Sequence, residues 1–315
     1  MANKKIVYNV EPLEYSEEAI SNWSKSGFTY VAGAWEEVLK KEKFENVTVV
    51  IVRLRGFVNE EILNKFPNIK CVISATTGQD HLDINSISQK KIQLITLKGE
   101  DNFLKTIPST AEHTWALLLS LIRNINDASA HVRSGGWNRD NYKGFQLKNK
   151  KIGIIGLGRI GGMIAKYAKV FDMDVLYFDP YVQNNDYKRM DSLISLVKES
   201  DIISIHVHLN SSTEELISKD ILHHVKKGAF LINTSRGKIL DEVAVVEALE
   251  DRRLSGVAVD VLSEEINNNI TESTLWKCQE HHNVIITPHI AGATYDAMWS
   301  CEEYVQNLYI KNNLN

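Results

Sequence analysis

The sequence predicts an α/β protein made of two Rossmann-like, doubly wound parallel-sheet domains with a cleft between them. Three observations carry this. At about 150 residues per domain, 315 residues make roughly two, each long enough to bury its own core. Short β-branched runs alternate with amphipathic segments along most of the chain, the pattern of βα units on a parallel sheet. Midway, Gly156-Leu157-Gly158-Arg159-Ile160-Gly161 lies between an apolar strand and a helical segment, the place of a dinucleotide-binding turn.

In the first third, residues 6–10, 47–52 and 71–74 read as strands and residues 16–26 and 59–66 as helices. Asn59 caps the second helix with Glu60 and Glu61 in its first turn, and Pro67 stops it. From Ser109 the sequence runs at helical spacing, without Pro or Gly, to Ser134, where Gly135-Gly136 ends it. A single helix of about 25 residues is expected there, with the chain crossing between domains near Ser109. Six strands follow, at 151–155, 174–178, 202–207, 229–233, 257–260 and 284–287, enough for a full doubly wound sheet. The amphipathic segment 296–311 comes after the last strand and is expected to return to the first domain. The expected domains are therefore 1–108 plus 294–315, and 109–293.

Composition narrows the function. Hydrophobic residues make up 43% and charged residues 24%, and 36 Lys and Arg face 40 Asp and Glu, so no cationic field is available for nucleic acid. Cys71, Cys278 and Cys301 are too few and too far apart for a disulfide framework or a zinc site, and suit reduced thiols in the cytoplasm. Neither the N-terminus nor the apolar stretch 115–122 makes an export signal or a membrane span, and that stretch reads as a buried helix face. Neither membrane nor metal is expected.

The glycines have separate tasks. Gly156 permits the tight turn, Gly158 lets backbone amides approach a pyrophosphate, and Gly161 lets helix and strand pack closely, with the helix N-terminus toward the phosphates. Asp179 stands 21 positions after Gly158, at the end of the next strand. There a carboxylate accepts from the adenosine-ribose hydroxyls and repels a 2′-phosphate. With no Arg adjacent to Asp179 in sequence, the expected cofactor is NAD.

Three more segments end strands of the second sheet. They are Asn233-Thr234-Ser235-Arg236-Gly237, Ala258-Val259-Asp260-Val261 leading to Glu264-Glu265, and Thr287-Pro288-His289-Ile290-Ala291-Gly292. With the glycine turn, Ala111-Glu112, Gly135-Gly136-Trp137 and the strand carrying His206, nearly the whole chain resembles the D-isomer-specific 2-hydroxyacid dehydrogenase family. The resemblance implies a catalytic trio of Arg236, Glu265 and His289. The residue chemistry agrees: a permanent guanidinium polarises the carbonyl, imidazole exchanges the proton, and a carboxylate holds the imidazole tautomer. Glu264 competes with Glu265 for the last role, and Ile266 stands where the family usually has Pro. The resemblance extends cofactor contacts to Arg159, Ile160, His206, Thr213, Thr234, Ser235, Asp260 and Gly292, with His208 replacing a usual proline.

By the same resemblance the first domain is a flavodoxin-like, substrate-binding domain whose loops at Arg53-Leu54-Arg55-Gly56 and Thr77-Gly78-Gln79 take the acid. Amides at Gly78 and Gln79 suit a carboxylate, and Leu54 covers the C2 substituent. Arg53 and Arg55 alternate, so one of them faces the substrate, where it would read a second anion such as the phosphate of 3-phosphoglycerate. His113 is a further candidate selector. Because the chain ends at Asn315, no C-terminal regulatory domain is expected. The implied protein is an NAD-dependent homodimer built around the helix after Ser109 and the Trp137 region, acting on a 2-oxo or D-2-hydroxy acid such as glycerate or hydroxypyruvate. Two alternatives share the resemblance: an NAD(H)-sensing module of corepressor type, and phosphite dehydrogenase.

Overall fold

The β-branched runs of the first third join one all-parallel sheet in the computed structural model, which describes residues 5–265 and 269–314. Its strands are β1 (Lys5–Asn9), β2 (Phe28–Ala32), β3 (Val47–Val52), β4 (Cys71–Ser74) and β5 (Gln93–Ile95), in the order β2-β1-β3-β4-β5. That is the flavodoxin order. Two strands, β2 and β5, add to the three expected. Both lie at sheet edges and mix polar with apolar residues, so neither carries the continuous apolar run of a central strand.

Alternate residues of the central strands bury on opposite faces. Val7, Val49, Ile51 and Ile73 pack in one cluster with Trp23, Phe28 and Tyr309, while Tyr8, Val50, Val52 and Val72 pack in another with Phe44 and Phe66. The closing helix Tyr295–Leu314 brings Cys301, Val305 and Tyr309 into the first cluster, and this compact unit comprises the chain to Ile107 and from Ala293.

The second unit, Pro108–Gly292, is built on a seven-stranded sheet. Its strands are β6 (Lys151–Ile155), β7 (Asp174–Phe178), β8 (Lys188–Arg189), β9 (Ile202–Ile205), β10 (Ala229–Asn233), β11 (Leu254–Val259) and β12 (Val284–Ile286). All pair in parallel, in the order β12-β11-β10-β9-β6-β7-β8. Connections leave β6 in one direction and β9 in the other, which creates a switch point between them. The six expected strands are present, and the two-residue β8 extends the edge.

The single long helix expected from Ser109 is instead two, Ser109–Ile122 and Ile125–Arg133. Asn124 separates them at φ 52°, a left-handed conformation that Asn tolerates better than most residues. The first helix buries Trp115, Leu117, Leu118, Leu121 and Ile122, whereas the second buries none of its residues. The apolar stripe thus belongs to the first helix alone. No helix among the described residues is long and apolar enough to cross a membrane. Residues 1–4 and Ile266, which bear on the N-terminal reading and the departure after Glu265, lie outside the described residues.

Candidate active and cofactor site

The turn after β6 shows why glycine is needed twice. Gly156 has φ 86°, and a Cβ there would come within 2.5 Å of the His206 carbonyl oxygen. At Gly161 a Cβ would sit 2.1 Å from the Gly156 carbonyl oxygen, so any side chain would push the helix Arg159–Val170 off the turn. A Cβ at Gly158 would meet nothing within 4 Å. The open space lies at the helix N-terminus, where first-turn amides, those of Arg159 and Ile160 among them, have no intrahelical acceptor. This cradle fits a dinucleotide pyrophosphate.

Asp179 follows β7, the next strand in the sheet, and is buried. Its Oδ2 accepts from Leu157 N at 2.8 Å, and Oδ1 accepts from Tyr181 N at 2.8 Å and Val182 N at 3.0 Å. One oxygen thereby ties the strand-end acid directly to the glycine turn. Arg189 of β8, ten residues away in sequence, donates to the Asp179 carbonyl at 2.9 Å. Sequence adjacency hid this arginine, whose bond is to the backbone.

His206 follows β9 beside the same turn. Burial pushes its imidazole down to about 3, so the ring is neutral at ordinary pH, and its Nε2 lies 2.8 Å from Ser204 Oγ. Thr213 folds its hydroxyl back to the His208 carbonyl at 2.6 Å, fixing the loop between them.

The expected catalytic residues follow β10, β11 and β12, three neighbours in the sheet. After β10, Asn233 pins the backbone: its Oδ1 accepts from Ser235 N at 2.9 Å and its Nδ2 donates to the Arg236 carbonyl at 2.8 Å. Ser235 Oγ donates to Ile205 O, Thr234 Oγ1 lies 2.7 Å from Thr114 Oγ1, and Arg236 Nη1 donates to Ser235 O at 2.7 Å. After β11 comes Glu265, whose Oε1 stands 3.0 Å from His289 Nδ1 and whose Oε2 accepts from Leu262 N at 3.2 Å. The structure therefore puts Glu265, not Glu264, on the imidazole. Since the carboxylate accepts a hydrogen bond from Nδ1–H, Nε2 is left for chemistry.

His289 holds φ 55°, an uncommon conformation for a non-glycine residue. Asp260 stabilises it by accepting from Ile290 N at 2.9 Å and Ala291 N at 2.7 Å, so both amides after the histidine converge on one carboxylate. Thr287 Oγ1 donates to the same group at 2.5 Å, and His113 Nε2 lies 3.0 Å from that hydroxyl. Burial alone would raise the Asp260 carboxyl, but the bonds from His113, Thr287 and the two amides outweigh it and hold the group below the usual carboxylate range. His113 thus sits behind the histidine turn, within its own unit. A Cβ at Gly292, which ends the turn, would meet only Thr110 Oγ1, at 3.9 Å. Among the described residues no cluster of His, Cys, Asp and Glu could hold a metal.

Along one sheet edge, the cofactor-type residues therefore follow β7, β6 and β9, and the acid-base residues follow β10, β11 and β12. A family model described as the D-isomer specific 2-hydroxyacid dehydrogenase NAD binding domain matches residues 115–291. The chain belongs to this dehydrogenase family. Similar proteins include a D-3-phosphoglycerate dehydrogenase of Bacillus subtilis, 35% identical over 82% of this chain and 48% of that one. A glyoxylate reductase of Thermococcus litoralis is 34% identical over 84% of this chain and 80% of that one. The structure of D-lactate dehydrogenase from Aquifex aeolicus, complexed with NAD and lactic acid, matches with TM-score 0.79 and 26% identity over 98% of this chain and 96% of that one. The chain spans about half the length of the phosphoglycerate dehydrogenases it matches. Within the family, the second unit is the NAD binding domain.

In the first unit the two candidate arginines separate. Arg53 turns into the unit: Nε donates to Glu302 Oε1 at 3.1 Å, Nη2 pairs with the same oxygen, and Nη1 donates to Leu13 O at 2.8 Å. Leu54 and Arg55 are exposed. In the loop after β4, Thr76 Oγ1 donates to Gly78 O, the Gln79 side chain bonds Thr96 and Lys98, and residues Thr77–Gln79 are half-buried. Sequence reasoning missed Glu11, which contacts the arginine loop. Its signal was an acid followed by proline directly after a strand, the pattern of Asp179-Pro180.

Proposed function

We propose that this protein is an NAD-dependent oxidoreductase that transfers a hydride between nicotinamide and C2 of a 2-oxo or D-2-hydroxy acid. The observation that carries this reading is the Glu265-His289 pair joining the ends of β11 and β12, with Arg236 after the neighbouring β10, on the sheet edge that also bears the dinucleotide turn. NAD, when bound, supplies or accepts the hydride. Arg236 polarises the C2 carbonyl and holds the oxygen as charge grows there. His289 gives that oxygen a proton from Nε2 in reduction and removes it in oxidation, while Glu265 fixes the ring through Nδ1 and balances the imidazolium. Gly158, Arg159 and Ile160 hold the pyrophosphate, Asp179 the adenosine ribose, and the Thr77–Gln79 amides the substrate carboxylate.

The relatives named for glyoxylate, hydroxypyruvate and 3-phosphoglycerate differ in what C2 carries. Arg53 is committed to Glu302, which makes exposed Arg55 the group that reads a second anion. The test is loss of nicotinamide absorbance with NADH and a panel of 2-oxo acids. Turnover of at least one is expected, with acids bearing a second negative group preferred. No turnover of any acid, with NADH still binding, would sink the reading.

We further propose that a second copy of the chain covers the helix Ile125–Arg133 and the segment after it, giving a homodimer in the cytoplasm. None of that helix is buried, Trp137 just beyond it is 89% exposed, and Ile125, Val132 and Phe145 in the same stretch of chain are exposed too. Large apolar side chains left exposed along one stretch suit an interface. Sedimentation should give a dimer, and Trp137→Glu a monomer. A wild-type monomer at micromolar concentration would refute the assignment.

A further inference from the structure

The loop after β3 forms an anion-binding nest that the chain fills itself. Three successive amides point at the Glu11 carboxylate: Arg53 N reaches Oε1 at 2.9 Å, Leu54 N reaches Oε2 at 3.3 Å, and Arg55 N lies 3.4 and 3.3 Å from the two oxygens. Trp35 Nε1 donates to Oε1 at 2.9 Å. Glu11 is 7% exposed, so the site is enclosed. The loop also lies against the indole, since a Cβ on Gly56 would come within 2.4 Å of Trp35 Cε2. Successive backbone amides of this kind otherwise bind phosphate or carboxylate ligands. Here no substrate anion can use them without displacing Glu11.

We propose that Glu11 and Trp35 are positioning residues for substrate selection: they fix the Arg53–Gly56 loop and so set where Leu54 and Arg55 stand. This deepens the substrate reading above and rests on it. The filled nest excludes the substrate carboxylate from these amides, so the loop discriminates by side chain alone, Leu54 for an apolar C2 substituent and Arg55 for a charged one. Arg53 adds a second tether, because its guanidinium bonds Glu302 and Leu13 O while its amide bonds Glu11. Without Glu11, the three amides and the indole N–H lose their shared acceptor and the loop loses the anion that shapes it.

The test compares wild type with Glu11→Ala and Glu11→Gln as full chains, on phosphohydroxypyruvate and pyruvate, with NADH. Expected is a rise of about tenfold in KM for the preferred oxo acid, a narrowed preference between the two acids, and an unmoved KM for NADH. Added formate should restore the preference in Glu11→Ala alone, since a small carboxylate can enter the vacated nest, an effect that general destabilisation would not produce. Trp35→Phe, which keeps the packing and removes one donor, should move KM in the same direction by less, and it stands in if the Glu11 variants fail to fold. Wild-type turnover with unchanged preference in the variants, or no formate effect, would overturn the inference alone. Absence of wild-type turnover on every oxo acid would overturn the substrate reading and this inference with it.

Discussion

Replacing Arg236 with alanine should lower kcat/KM for the oxo acid by about 10³-fold or more, roughly 4 kcal/mol of transition-state stabilisation, while NADH binding stays near wild type. A guanidinium beside the C2 oxygen is worth most when that oxygen gains charge, so the loss falls on the hydride-transfer step. The backbone at 236 is built to hold such a group. Asn233, fully buried, clamps Ser235 and Arg236 from both ends of its amide. Gly237 lets the chain lie against 262–263, the approach to Glu265, because a Cβ there would come within 2.1 Å of the Leu262 carbonyl carbon. Arg236→Lys keeps the charge but loses the planar fork, and should recover only part of the activity. Stopped-flow reduction with a parallel NADH titration separates chemistry from binding. Full activity in Arg236→Ala would remove the arginine from the mechanism.

The parts of the site legible in the sequence are those whose chemistry is local. Gly156, Gly158, Gly161 and Asp179 belong to one βαβ stretch, where turn, helix N-terminus and strand-end acid must follow in order. Arg236, Glu265 and His289 were legible by resemblance to a family, and the parallel sheet explains why segments so far apart meet at one edge. What stayed hidden depends on pairs that only the fold creates. Arg53 is 249 positions from Glu302, and no alternation rule separated it from Arg55, because β3 ends at Val52 and a loop has no fixed face. His113 lies 174 positions from Thr287, so its place behind the histidine turn was invisible. The break at Asn124 was missed because apolar spacing continues weakly through it, and left-handed φ leaves no mark on periodicity.

Exchanging His289 for asparagine should cost about 10²- to 10⁴-fold in kcat, the usual range for a lost general acid or base. Asparagine is the informative choice, because it is among the non-glycine residues that best tolerate φ near 55°, so the turn held by Asp260 survives and the lost activity reports proton transfer rather than refolded backbone. Glu265→Gln should cost less, since an amide oxygen can still accept from Nδ1 and keep the tautomer, but it removes the counter-charge from the imidazolium. Comparing kcat of Glu265→Gln and His289→Asn in both directions checks this order. Equal losses in the two variants would mean that the carboxylate does more than hold the tautomer. If His289→Asn retained wild-type kcat, the proton must come from another group, and the acid-base role of the pair would fall.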